Sequence, residues 1–372
     1  MRKIQMLDLQ TQYSRLKTDI DSAIQNVLES AAFIKGPEVS EFEKGLSKFT
    51  GAKFVIGCAN GTDALQLALM ALDLPRGSEV ITPSFSYAAL AEVILLMGLV
   101  PVFVEVDPNT FLIDCQAIEN AITPNTKVIA PVHLYGQTCD MEQIMAIATK
   151  NNLFVIEDSA QAIGSKYTFT SGSTAHAGTI GHIGTTSFFP SKNLGCYGDG
   201  GAIFTQDEKL AVKLKSIANH GQKVKYQHEL IGINSRLDTI QAAVLNVKLS
   251  HLLEFEAARN KCADFYDFQL QNAIGVQIPS RVANSTHVFH QYTLTLNSHA
   301  KREQLKKHLT ANNIPSMIYY PTPLHHQKAY FQDISMPLTE SLCQRVISLP
   351  IHTEMDAEQL EFICETILNF DL

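Results

Sequence analysis

The sequence predicts an α/β protein: a large domain on a mixed, mostly parallel seven-stranded sheet flanked by helices, followed by a smaller C-terminal α+β domain. Three observations carry this. Between about residues 54 and 207, short β-branched runs alternate with helical patterns, as expected of strands joined by crossover helices. Beyond about residue 270 the order of elements changes. The chain's 372 residues also exceed the length at which one hydrophobic core stops growing.

Taken in order, the N-terminal fifty residues carry a helix-like stretch at 38–49 and are expected to wrap back onto one of the two domains. Seven strands follow: FVIGCA (54–59), EVITPS (79–84), PVFVEVD (101–107), KVIAPVHLYG (127–136), LFVIEDS (153–159), TTSFFP (185–190) and GAIFTQ (201–206). Apolar residues at helical spacing place helices at 62–72, 87–97, 141–150 and 208–218, and one long helical pattern at 235–270. HQYTLTL (290–296) alternates as a half-exposed strand, 301–310 is helical, PSMIYYP is extended and 357–368 is helical. The expected division is 1–250 for the large domain with its N-terminal arm and 251–372 for the small one.

Composition excludes several classes of function. With 45% apolar and 18% charged residues the chain is an ordinary globular one. Its net charge of −8 is spread without a basic stripe, which argues against a nucleic-acid surface. Seven scattered cysteines without C-x-x-C spacing predict neither a disulfide framework nor a thiolate zinc site, and fit a reducing cytoplasm. The longest apolar stretch, 88–106, is interrupted by Glu92 and Pro101, so no membrane span is expected.

Chemistry concentrates where strands end, which is where ligands gather in such sheets. In TSFFPSKNLGCYGDGGAIFT, Lys192 follows a strand and precedes glycines 195, 198, 200 and 201. A lysine fixed and partly desolvated there has the lowered pKa that an amine needs to attack a cofactor aldehyde; an exposed turn lysine is the bland alternative. VIEDSAQAIG puts Glu157 and Asp158 at the end of an apolar strand, where a carboxylate is costly without a partner. The ring nitrogen of a pyridine cofactor would be one for Asp158, with Gln161 nearby; a helix N-cap is the competing reading. CANGTDALQLAL offers Gly61 and Thr62 at a helix N-terminus suited to a phosphate. Tyr87 stands beyond another strand end, able to stack on a flat ring, and Ser187 adds a hydroxyl. His325 and His326 are adjacent, and with no further ligand pattern beside them no metal site is expected.

Together NGTDAL, EDSAQ, SFFPSKNLGCYGDGG and GINSRLD closely resemble the DegT/StrS-type sugar aminotransferases, which belong to the fold-type I pyridoxal-phosphate enzymes. The resemblance runs from MLDLQ and IKGPEVSEFE through YYPTPLHHQ. It implies pyridoxal 5'-phosphate as cofactor, Lys192 as the Schiff-base lysine and Asp158 on the pyridine nitrogen. It further implies Gln161 near the ring, with Gly61, Thr62 and Ser187 on the phosphate. Asn234 would reach the phosphate from a neighbouring subunit, so a homodimer with shared active sites is implied.

Within the family, ANGTDALQ, TSFFPSK, LGCYGDGGAIFT and NSRLDT look most like 3-aminotransferases of UDP-linked 2-acetamido-3-keto sugars. Ala31, Phe33, Ser191, Arg236, Tyr319 and Tyr320 match that subgroup's sugar contacts. The resemblance implies L-glutamate as amino donor and surface polysaccharide synthesis, including lipopolysaccharide, as the setting. Tyr319 replaces the histidine expected in enzymes of the 3-keto uronic acid, which brings the uncharged 3-keto-N-acetylglucosamine into play. The same chemistry on a dTDP-linked 3-keto or 4-keto 6-deoxyhexose is the nearest alternative, and a non-catalytic sensor with this fold is one of another class. The Ser/Thr/Gly-rich stretch 166–178 is expected to be a surface insertion rather than a flap.

Overall fold

The computed structural model describes residues 2–370; Met1, Asp371 and Leu372, at the ends of the two expected domains, lie outside the described residues. Helices α1 (Leu9–Ser30) and α2 (Pro37–Thr50) precede an alternating run of β1 (Phe54–Cys58), α3 (Gly61–Ala71), β2 (Glu79–Pro83), α4 (Ala89–Leu96), β3 (Val100–Val104), α5 (Cys115–Ala121), β4 (Thr126–Ile129), α6 (Met141–Asn151) and β5 (Phe154–Asp158). A hairpin of β6 (Lys166–Thr168) and β7 (Thr174–His176) leads to β8 (Ile183–Ser187), β9 (Gly201–Thr205) and α7 (Glu208–Ile217). A second hairpin, β10 (Gln222–Val224) and β11 (Gln227–His228), precedes α8 (Thr239–Ser250) and α9 (Leu252–Leu270). The remainder comprises β12 (Val276–Gln277), β13 (Tyr292–Leu296), α10 (His299–Ala311), α11 (Pro337–Arg345), β14 (Val346–Leu349) and α12 (Ala357–Leu368).

Seven strands form one sheet in the order β1-β9-β8-β5-β4-β2-β3. Only β9 runs against its neighbours; the remaining pairs are parallel. The mixed, mostly parallel sheet read from the sequence is therefore the one found. Its helices begin where short polar side chains cover otherwise unpaired N–H groups: Asn60 Oδ1 accepts from Asp63 N at 2.8 Å, and Asp140 and Asp207 cap α6 and α7 in the same way. Val80, Ile81, Val128, Ile129, Val155 and Ile156 put the sheet's centre into the main core.

A three-stranded sheet, β12-β13-β14, carries a second core with α9, α10 and α12. All five residues of β13 are buried, which corrects the expectation of a half-exposed strand at 290–296. Its threonines alternate with apolar residues but do not face water: the Thr293 hydroxyl pairs with that of Ser348 on β14 at 2.8 Å. A buried hydroxyl with a hydroxyl partner mimics the pattern of an exposed face. Further boundaries move, among them the strand expected at 127–136, which ends at Ile129. The strand expected at 185–190 sits at 183–187, because Phe188 leaves the sheet to begin the lysine turn, and the pattern at 235–270 splits at His251 into α8 and α9. The N-terminal arm touches both cores: α1 and α2 pack on α8, while Ile4 joins the C-terminal core.

The stretch 166–178 is a pinned hairpin. Tyr167 is fully buried and its hydroxyl donates to Asp140 at 2.7 Å, so this segment is anchored beside α6 and lines no part of the cleft described next.

Candidate active site

A cleft of about 520 Å³ opens at the carboxyl ends of β5 and β8 and the N-terminus of α3, closed on one side by residues that lead into β13 and by the Tyr319–Tyr320 segment. The structure brings Lys192, Asp158, Gly61, Thr62, Tyr87, Gln161, Ser187, Ser191, Tyr319 and Tyr320 together there.

Lys192 stands on a tight turn beyond β8. Its N–H donates to Phe189 O at 2.8 Å, while Phe188 N donates to Gly200 O at 2.7 Å and Cys196 N to Phe188 O at 2.8 Å. This ladder needs glycine at 195, where a Cβ would lie 2.5 Å from the Pro190 carbonyl oxygen. Burial lowers the lysine's pKa to about 8, and the negative charge of Asp158 opposes the shift.

Glu157 and Asp158 are neighbours on β5 and point to opposite sides. Glu157, wholly buried, accepts from the N–H groups of Gly178, Ile180 and Gly181 at 2.9, 2.7 and 2.5 Å and from His133 Nε2 at 2.9 Å. His133 Nδ1 accepts from Cys139 N at 3.1 Å, so the ring keeps its proton on Nε2 and acts as a neutral donor to Glu157. Glu157 is thus committed to the fold. Asp158 faces the cleft, where burial raises its pKa against the Ala160 N–H, 3.0 Å from Oδ1, and the charge of Lys192. No helix follows; residues 160–164 form turns, so Asp158 is not a helix cap.

Gly61 and Thr62 open α3, where first-turn N–H groups have no acceptor within the helix. The helix end approaches β8 so closely that a Cβ on Gly61 would lie 2.7 Å from Ser187 Cβ. Gly201 lets β9 approach the same corner, its missing Cβ leaving room for the Asn60 carbonyl 2.5 Å away. The Ser187 hydroxyl lies at the rim of this cradle of donors.

Gln161 Oε1 accepts from Tyr135 N at 2.7 Å and its amide donates to the Tyr320 hydroxyl at 3.1 Å, which ties the large domain's turn to the C-terminal segment. The Tyr135 hydroxyl donates to the Tyr319 carbonyl. Tyr87 is 63% exposed over the cleft, 6.3 Å from the Tyr320 ring, and is no core aromatic.

Ala31, Phe33, Asn234 and Arg236 lie outside this cleft. Ala31 ends α1, the Phe33 carbonyl accepts from Thr239 N at 3.1 Å, and exposed Asn234 bridges to Asn219. Arg236 lines a separate cavity of about 280 Å³ with Lys35, Glu43 and Lys215. Conversely, His290, Gln291, Thr185 and Thr186 line the cleft and were not singled out from the sequence. Two of them follow from the strand-end rule applied to β8; His290 sat in a pattern that reads as plain strand.

His325 and His326 do converge with a third group. Their ring nitrogens and a Glu340 carboxylate oxygen lie within 4.8 Å of one another. His325 Nδ1 hydrogen-bonds with Ser84 Oγ at 2.7 Å and Nε2 with Glu340 at 3.4 Å, a chain that fastens α11 beneath β2. Among the described residues no helix is long and apolar enough to cross a membrane.

Comparison with known proteins agrees with this geometry. Residues 14–368 match the model of the DegT/DnrJ/EryC1/StrS aminotransferase family. The chain is 45% identical to the UDP-2-acetamido-2-deoxy-3-oxo-D-glucuronate aminotransferase of Pseudomonas aeruginosa, covering 98% of this chain and 100% of that one. It is 43% identical to the UDP-N-acetyl-3-dehydro-alpha-D-glucosamine 3-aminotransferase of Acidithiobacillus ferrooxidans, covering 98% and 97%. Among solved structures, Bacillus subtilis NtdA with bound cofactor PMP superimposes with a TM-score of 0.88 at 33% identity, covering 97% of this chain and 82% of that one.

Proposed function

The chain belongs to the DegT/DnrJ/EryC1/StrS aminotransferase family, and from that premise we propose that it transfers an amino group from L-glutamate to C3 of a UDP-linked 2-acetamido-2-deoxy-3-keto sugar. It is a pyridoxal-phosphate-dependent aminotransferase. The observation that carries the site assignment is the pairing of a desolvated lysine with a cleft-facing carboxylate at the ends of adjacent parallel strands.

The residues present fit the cofactor. Asp158 is a cleft-facing carboxylate whose raised pKa marks a missing counter-charge, which a protonated ring nitrogen supplies. The cradle of Gly61, Thr62 and Ser187, closed to any Cβ at position 61, suits the phosphate. When bound, pyridoxal phosphate supplies an aldehyde that links to amines and a ring that draws electrons from a carbanion. The protein supplies the proton chemistry. With a pKa near 8, about a tenth of Lys192 is free amine at pH 7, against roughly one part in 3,000 at the ordinary value. Lys192 Nζ, as the free amine beside the reacting carbon, would accept and return the proton in each half-reaction. Asp158 would pair with the ring nitrogen and favour its protonated form. Gln161 and Tyr320 fix the wall that limits how the ring sits.

A second copy of the chain completes the site in this reading. Asn234, Arg236, Ala31 and Phe33 lie outside the cleft of their own chain and are available to a partner's. Exposed Leu28, Phe33, Ile34, Phe189, Tyr226 and Ile231 support such an interface. Mixing Lys192→Ala with Asn234→Ala protein tests it, since a mixed dimer would regain one intact site. Unpaired cysteine spacing supports a cytoplasmic setting, and surface polysaccharide synthesis is the pathway class. The substrate assignment is tested by adding UDP- and dTDP-linked keto sugars to pyridoxamine-phosphate-loaded protein. A UDP-linked 3-keto-N-acetyl sugar, neutral or acidic at C6, should restore the visible absorption of the lysine-linked cofactor; restoration by dTDP sugars alone would refute the UDP assignment.

A further inference from the structure

Among the ionisable side chains that line the cleft, His290 and Asp199 have no task in the mechanism. We propose that His290 is the hydrogen-bond donor that receives a substrate carboxylate beside Lys192. This rests on the aminotransferase reading of the site.

His290 lies two residues before β13, lines the cleft with Lys192, and is only 7% exposed. Its Nδ1 is enclosed without a hydrogen-bond partner. A proton there would be stranded, so the neutral ring carries its proton on Nε2, and the residue itself lines the cleft. Burial, followed by the charges of Lys192 and Arg259, pushes the imidazole pKa well below its ordinary value, so the donor is neutral until an anion arrives. The cations beside it are Lys192 and Arg259, while the carboxylates Asp158 and Asp199 line the same cleft. Arg259 is buried, with its guanidinium held by the Phe289 and Ile351 carbonyls at 3.0 Å each. The fixed charge of Arg259, which helps to keep the free ring uncharged, also favours an anion beside it.

Several donors of the cleft are committed elsewhere. Thr62 and Ser187 sit at the phosphate corner, and the Gln161 amide is spent on Tyr320. Lys192 must be a free base to carry protons, and no arginine stands among the described residues lining the cleft. Every amino-acid donor brings a carboxylate into this space, and a sugar oxidised at C6 brings another. The shared chemistry is a carboxylate on a neutral imidazole N–H near the Arg259 cation, and the two sources separate experimentally.

The test compares wild-type holoenzyme with His290→Leu and His290→Gln in single half-reactions. Glutamate is added to the lysine-linked form, and neutral or C6-acidic UDP-3-keto sugar to the pyridoxamine-phosphate form. Loss of one hydrogen bond to a charged group should raise the half-saturating concentration roughly 10- to 100-fold in His290→Leu while leaving the maximal rate nearly unchanged. His290→Gln, which keeps an N–H, should recover most of it. A rise confined to glutamate assigns the donor's carboxylate; a rise confined to the acidic sugar assigns the sugar's. Calorimetry with glutarate, which has no amine to react, reads the contact without chemistry: weaker binding by His290→Leu is expected if the donor is the source. Unchanged half-saturation in every arm, or an equal loss with the neutral sugar, overturns the proposal. A wild-type protein inert to glutamate and keto sugars alike would instead refute the aminotransferase reading.

Discussion

The acidity of Lys192 is open to direct measurement through the rate at which cofactor-free protein captures pyridoxal phosphate. Only the free amine attacks an aldehyde, so the rate rises with pH through the lysine's pKa. Burial lowers that pKa from 10.5 to about 8, which makes the free amine at pH 7 about 300-fold more abundant than for an exposed lysine. Second-order capture rates from pH 6 to 10, followed by visible absorption and divided by those of a free lysine derivative to remove the cofactor's own ionisations, should show a midpoint near 8. Asp158 opposes the shift, so Asp158→Asn should move the midpoint lower and speed capture at pH 7, even as the finished enzyme loses activity. A midpoint near 10, or an upward move in Asp158→Asn, would show that Lys192 is solvated or that the two groups do not interact.

Three further outcomes follow from the packing. Glu157→Ala strands three backbone N–H groups and the His133 N–H, and should cost about 3–5 kcal/mol in urea unfolding, although Glu157 never meets a ligand. Gly201→Ala forces a Cβ to within 2.5 Å of the Asn60 carbonyl and should cost about 1–3 kcal/mol while loosening the phosphate corner, seen as faster loss of cofactor on dialysis. Tyr167→Phe removes hydrogen bonds to Asp140 and Asn284, and should lower stability by about 1–2 kcal/mol with kcat unchanged, as befits a structural hairpin.

The sequence was most legible where one physical rule dominates. Buried strands of the sheet read as continuous apolar runs, so β1, β2, β5 and β9 fell within a residue or two of their place. Strand ends then located Lys192, Asp158, Gly61 and Thr62, because a parallel sheet gathers its ligands there. Alternation misled at 290–296, where Thr293 finds Ser348 instead of water, and the same misreading hid His290 beside it. Which of Glu157 and Asp158 faces the cleft follows from strand phase, but the three N–H groups that claim Glu157 come from residues 178–181, beyond local inference. The convergence of Glu340 on His325 is likewise a property of the fold, since fifteen positions of sequence separate them.

The most direct test of the central claim is the absorption spectrum of the purified protein, reconstituted with pyridoxal phosphate, before and after glutamate. The wild-type protein should show the visible band of a lysine-linked cofactor, glutamate should convert it to the pyridoxamine form, and a UDP-3-keto sugar should restore it. Lys192→Ala, folded to the same extent by circular dichroism, should show neither the original band nor its cycling. A wild-type protein that never acquires the band, or a Lys192→Ala variant that cycles like it, would contradict the account.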